Sequence, residues 1–404
     1  MKRLATLIVG LLIAGAQAQA SDPQGFDEIE RGRMLAVAAD CAGCHTQTGG
    51  ADYAGGKAIE TPFGPLLAPN ITPDRKTGIG AWSDAAFTAV LAEGIGHNGE
   101  HIYPAMPYPY YTRMPTTDIL AVRAYLNTVT PRSHAVVSNQ LAFPFSVRAV
   151  LRGWNELYFT PGVFTPTANK SEAWNRGAYL VQGPGHCGAC HTPKTLLGGD
   201  DTARALQGGV LQGWLAPNLT ADLRIGLGKW SRDDIVSFLQ SGHSRQAAAG
   251  GPMTEVVAFS TSKLPLSDLQ AMALFLKDQQ ASGTDTARTA LAAVDLVGGK
   301  AIYLDNCTAC HGVDGAGLPG MFPALRQNAG VQATLPNNAI RLILQGGRSV
   351  ATSLAPTAPV MPPFGWKLSD QQIAAVTTYI RNSWDNAAPM VSSATVHDAR
   401  SETK

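Results

Sequence analysis

The six cysteines of this 404-residue chain fall into three pairs, at 41 and 44, 187 and 190, and 307 and 310. Each pair is C-x-x-C, and a histidine follows each at once: "CAGCH", "CGACH" and "CTACH" end in His45, His191 and His311. Disulfides suit an exported protein but do not require a histidine after every pair. A zinc ribbon needs two pairs converging on one metal. Here the pairs are well over 100 residues apart and odd in number. A thioredoxin-type site would use one pair, not three. Covalent attachment of c-type haem is the chemistry that uses every position of the motif. Cys41 with Cys44, Cys187 with Cys190, and Cys307 with Cys310 would each form two thioethers on one turn of chain. The adjacent histidine then supplies an axial nitrogen to iron. Three covalently bound haem c groups are expected.

Export fits this chemistry, because such haem is attached outside the cytoplasm. The N-terminus, "MKRLATLIVGLLIAGAQAQA", sets Lys2 and Arg3 before an apolar run and then small residues spaced A-x-A. Residues 1–20 read as a secretory signal peptide. The apolar run is short for a bilayer span, which takes roughly 20 residues. The mature protein is thus expected in the periplasm, at the outer face of the cytoplasmic membrane, with peripheral association and no membrane-spanning helix of its own. With 31 basic and 30 acidic residues, the chain carries no nucleic-acid footprint.

The chain also repeats itself. "LAPNITPDRKTGIGAWSDAAFTAVLAEG" (67–94) matches "LAPNLTADLRIGLGKWSRDDIVSFLQSG" (215–242) at a constant offset of 148. After the third motif stands a shorter "CHGVDGAGLPGMFPAL". A helix is predicted before each motif ("FDEIERGRMLAVAA", "AWNRGAYLVQ", "DLVGGKAIYLDN"). Another closes each unit ("TTDILAVRAYLNTV", "LSDLQAMALFLKDQ", "SDQQIAAVTTYIRNSW"). Ser369 and Gln372 form a capping-box pattern at the last. The expected organisation is a first domain over 22–135, an aromatic-rich connecting segment over 136–167 and a second domain over 168–282. A polar linker (283–289), a third domain (290–388) and a polar, disordered tail (389–404) follow. The connecting segment reads as packing between domains, with a partner subunit, quinone or membrane surface as the alternatives; its "SVRAVLRGWNELYF" could form an amphipathic helix.

A low-spin electron-transfer haem takes a second axial ligand, usually methionine sulfur. Most methionines only fill cores, and the repeat separates the two kinds. Met253 lies 62 residues beyond His191 and Met106 lies 61 beyond His45, whereas Met114 lies 69 beyond. Met114 in "RMPTTD" occupies the position of Leu264 in "KLPLSD" and Leu368 in "KLSDQQ", an apolar lead-in to a helix. In the third unit "VMPPFGW" puts Met361 50 residues beyond His311. The expected iron ligands are therefore His45 with Met106, His191 with Met253, and His311 with Met361. His97, His101, His186 and His243 are the alternatives. No residue is assigned a catalytic role.

With these residues placed, the chain resembles the three-haem cytochrome c subunits of bacterial membrane-bound alcohol, gluconate, sorbitol, fructose and aldehyde dehydrogenases. The resemblance rests on the haem motifs, "APNITPD…TGIGAWSD", "YPAMPYPYYTRM" and "FPFSVRAVLRGWNELYF", and spans nearly the whole mature chain. It implies an all-α fold of three tandem class I cytochrome c-like domains. In each, a glycine (Gly32, Gly177, Gly299) lets an aromatic (Tyr125, Phe275, Tyr379) of the closing helix approach. It also implies an electron-transfer subunit rather than the substrate oxidant. The partner would be a dehydrogenase subunit of flavin, pyrroloquinoline quinone or molybdenum type, and the acceptor ubiquinone or a terminal oxidase. The polar end, "VSSATVHDARSETK", departs from the hydrophobic anchor that some members carry. A stand-alone electron shuttle, a quinone-reducing subunit with its own quinone site and a haem peroxidase are the competing readings.

Overall fold

The computed structural model describes residues 23–137, 139–283, 291–292 and 296–402. The expected signal peptide and nearly all of the 283–289 linker lie outside the described residues. The rest is mainly helical, with three two-stranded antiparallel ribbons as its sheet.

Three helix pairs organise the chain. Pro23–Ala38 packs on Thr116–Leu126, Glu172–Gln182 on Leu266–Lys277, and Val297–Asn306 on Asp370–Ile380. At every crossing a glycine of the first helix meets an alanine carbonyl of the second. A Cβ added at Gly32, Gly177 or Gly299 would overlap the backbone of Ala121, Ala271 or Ala375. The sequence pattern couples these glycines to Tyr125, Phe275 and Tyr379, each one turn further along. The structure moves the contact back to the alanine, because two backbones touch only where both side chains are minimal. In the third unit alone the aromatic shares the contact, with Tyr379 Cβ 2.7 Å from that added atom.

A third helix completes each unit: Asp84–Ala92, Arg232–Ser241 and Asn337–Gln345. The first two start at the serine of the repeated W-S. Ser83 accepts from the Ala86 N–H, and Ser231 forms a reciprocal capping box with Asp234. The capping box expected at Ser369 and Gln372 is present.

The cores are not one per unit. Leu35, Ile119 and Val122 of the first unit share a continuous apolar cluster with Leu180, Leu269 and Phe275 of the second. The third unit keeps its own cluster around Tyr303, Ile340, Ile373 and Val376. It meets the second unit through a small apolar patch, where Val350 packs with Ala249 and Val257, and through polar contacts around it. Asn338 bonds both the N–H and the carbonyl of Leu215 (2.8 Å each), Asn328 reaches the Gln246 carbonyl, and Arg341 lies over the Trp214 ring.

The connecting segment over 136–167 does pack between units. It contains the helix Val150–Tyr158. Asn155 accepts from Tyr108, Trp154 Nε1 donates to the Leu197 carbonyl (3.0 Å), and Phe164 packs on Tyr179. The tail differs from expectation. Ser393–Glu402 is a helix, because Val396 is buried in the third core and Arg400 binds Asp370 and the carbonyls of Gly365 and Leu368. The polar sequence conceals two apolar anchors, Val391 and Val396, and one multidentate cation.

Overpacking a close backbone crossing is expected to cost about 3 kcal/mol. Gly32→Ala and Gly177→Ala should therefore lower the same calorimetric transition, and Gly299→Ala a separate one. Three independent transitions would contradict the shared core.

Candidate haem-binding sites

The three C-x-x-C-H motifs sit on short helices, Cys41–His45, Gly188–His191 and Thr308–His311. Each follows directly on the first helix of its unit. Asp40 and His186, just before the first cysteines, take left-handed backbone with φ of 50° and 35°, which turns the chain sharply into the motif. None of the six cysteines is in a disulfide. Burial raises Cys41 and Cys187 to about 12 and Cys44 and Cys307 to about 11.

The histidines are oriented identically. Nδ1–H of His45 donates to the Pro69 carbonyl at 2.7 Å, that of His191 to Pro217 at 2.7 Å, and that of His311 to Pro323 at 3.1 Å. This fixes the tautomer and leaves Nε2 as the free donor atom for a metal. Burial lowers the pKa of all three rings, against the opposing effect of the carbonyl bond, so the neutral ligating form is favoured. Paired thiols one turn apart, with a neutral imidazole aimed by its far nitrogen, fit covalent haem c.

The carbonyls explain the repeated A-P-N-[IL]-T motif. Its proline presents the acceptor, and its asparagine braces the turn. Asn70 Oδ1 accepts from the Thr72 N–H at 2.9 Å, and Asn218 Oδ1 from the Thr220 N–H at 2.6 Å. The third unit reaches the same end from "FPAL", with Pro323 in that role. These prolines escape a search for ligating side chains, although their place in the repeat was the signal.

Met106 and Met253 border the shared core together with Cys41 and Cys187; Met361 borders the third core with Cys307. Met253 opens the helix Met253–Phe259, and Met361 pairs with Gly347 in a ribbon. Met114 is different: it is sealed in the core at 1 % exposure, as Leu264 and Leu368 are buried at theirs. Among the alternative histidines, His97 stacks on Trp82 and His186 lies against Tyr111. Tyr110 hydrogen-bonds Asp200 across the first two units, and within the first unit Tyr111 donates to the Ala39 carbonyl at 2.8 Å. Burial raises Asp40 to about 7, with Lys57 opposing.

Comparison with known proteins agrees with this geometry. The cytochrome c family profile matches residues 29–130 and 296–384. The chain is 39% identical over 412 residues to the "Gluconate 2-dehydrogenase cytochrome c subunit" of Pantoea cypripedii, covering 96% of this chain and 92% of that one. This chain belongs to the cytochrome c family, among the dehydrogenase cytochrome c subunits. It is also 39% identical over 401 residues to the "Alcohol dehydrogenase (quinone), cytochrome c subunit" of Gluconacetobacter polyoxogenes (94% of this chain, 85% of that). To the "Fructose dehydrogenase cytochrome subunit" of Gluconobacter japonicus it is 34% identical over 433 residues (98% and 88%). As a cytochrome c subunit, it carries covalent haem c and acts in electron transfer with a dehydrogenase partner. The second unit falls outside the profile match, yet its motif, its Pro217 acceptor and its glycine crossing repeat those of the first.

Asn218→Ala removes the brace behind the Pro217 carbonyl. It is expected to lower stability by about 1 kcal/mol and to raise the midpoint potential of one haem, because a weaker bond makes His191 a poorer electron donor. Optical redox titration checks this; unchanged potentials would leave the asparagine a purely structural role.

Proposed function

We propose that this protein is a periplasmic three-haem subunit, peripheral at the outer face of the cytoplasmic membrane. It carries electrons from a dehydrogenase that oxidises an alcohol, aldehyde, sugar or sugar acid to the ubiquinone pool or a terminal oxidase. The observation that carries the reading is the threefold recurrence of one arrangement: a C-x-x-C-H turn whose histidine donates Nδ1–H to a proline carbonyl. The relatives' names support the choice of partner, and the flavin, pyrroloquinoline quinone or molybdenum type of that partner is left to its own chemistry. The leader-like N-terminus supports export. No helix among the described residues is long and apolar enough to cross a membrane, which suits a peripheral subunit.

Bound haem supplies a one-electron iron couple. The side chains that would hold the irons are His45 with Met106, His191 with Met253, and His311 with Met361. Thioether sulfur opposite a neutral imidazole raises the potential relative to two histidines. Full burial of Met114 supports Met106 as the first unit's ligand.

Pyridine haemochrome analysis should give three haems per chain, and Cys187→Ala with Cys190→Ala should reduce the count by one. Met106→Ala should remove one haem's share of the far-red ferric methionine–iron band. Met114→Ala should keep that band and destabilise by about 3 kcal/mol, as for other buried methionines. The reverse pattern would exchange the two assignments.

A further inference from the structure

The first two sites are packed against each other, reciprocally. From the first unit, the stretch after Met106 covers the second motif. A Cβ at Gly188 would lie 2.7 Å from Tyr110 Oη, and the Tyr111 ring is centred 5.7 Å from that of His186. From the second unit, the helix Met253–Phe259 lies against Cys41–His45. Each methionine-bearing segment thus roofs the other unit's attachment turn, a pseudo-twofold arrangement that matches their shared core.

One ion pair spans this junction. Lys57 Nζ donates to the Gly43 carbonyl at 2.7 Å, between Cys41 and Cys44, and to Glu255 Oε2 at 2.6 Å. Glu255 stands two residues after Met253. The cation is thus fastened to the first attachment turn and the anion to the segment bearing the second unit's methionine. Lys57 is half-buried, so its charge is only partly screened by solvent. Among the described residues, Lys57 and Glu255 bond only within the first two units, while the third unit keeps its main core apart and touches the second at a small apolar patch of Val350 with Ala249 and Val257.

We propose that the Lys57–Glu255 pair sets the potentials of the first two haem sites together, making them one electrostatically coupled redox pair from which the third is insulated. The proposal rests on the three-haem reading above. Reduction adds one negative charge to a site, so a nearby cation favours the reduced form and a nearby anion the oxidised form. Because the pair lies at the junction, both sites feel each change.

The test is a potentiometric titration of the full-length haem-loaded protein, with the three haems resolved by optical and electron paramagnetic resonance spectra. Lys57→Met should lower two potentials and Glu255→Gln should raise the same two. The double variant should return most of the way, and Lys57→Arg, which keeps the charge, should titrate like the parent. The third potential should not move, and the two shifts should shrink at high salt. A shift confined to one haem, an equal shift in all three, or no shift in fully loaded protein would overturn the proposal. A haem count below three would overturn the reading of the third site without touching the pair; unmoved potentials at a count of three would overturn the pair alone.

Discussion

Where two helices of this protein cross, a glycine on one rests on an alanine carbonyl of the other, and three copies of this contact set the frame. Closing the distance at Gly32, Gly177 and Gly299 brings the helix ahead of each haem motif against the helix that ends the unit. The motif begins where the first helix stops, so its direction depends on that crossing. A larger side chain at the glycine would push the helices apart and carry the attachment turn away from the loop that faces it. The packing contact sits far from the chemistry and still governs it.

The units are alike in design and unlike in company. The first two merge their apolar cores, and the third joins by a largely polar seam of hydrogen bonds and a stacked arginine around a small apolar patch of Val350, Ala249 and Val257. Polar junctions of that kind resemble transient interfaces more than domain cores. The tyrosines of "YPAMPYPYYTRM" are shared out accordingly. Tyr103 and Tyr108 bond to the connecting segment, while Tyr110 and Tyr111 turn toward the second unit. What reads in the sequence as an odd aromatic loop is a hub between three parts of the chain.

The cysteine and histidine pattern was legible without coordinates, because thioether chemistry fixes residue types at fixed spacing. The repeat made Met114 legible too, since a register that aligns it with Leu264 and Leu368 predicts burial, and it is buried. Three things were not legible. The proline acceptors act through backbone, which carries no side-chain signature. The fusion of the first two cores depends on surfaces such as Tyr111 and Tyr179 that look like ordinary core residues of separate domains. The terminal helix Ser393–Glu402 is held by Arg400 and Val396 in a composition that otherwise favours solvent.

The histidine acceptors have a consequence for how such a protein can diversify. A carbonyl belongs to the main chain, so no substitution at Pro69, Pro217 or Pro323 deletes it; mutation can only tilt or displace it. The orientation of each motif histidine is thereby shielded from drift, and the three copies inherit similar imidazole donor strength. Divergence among them has to be written elsewhere, in charges and neighbours around the rim, where single changes are tolerated by the fold.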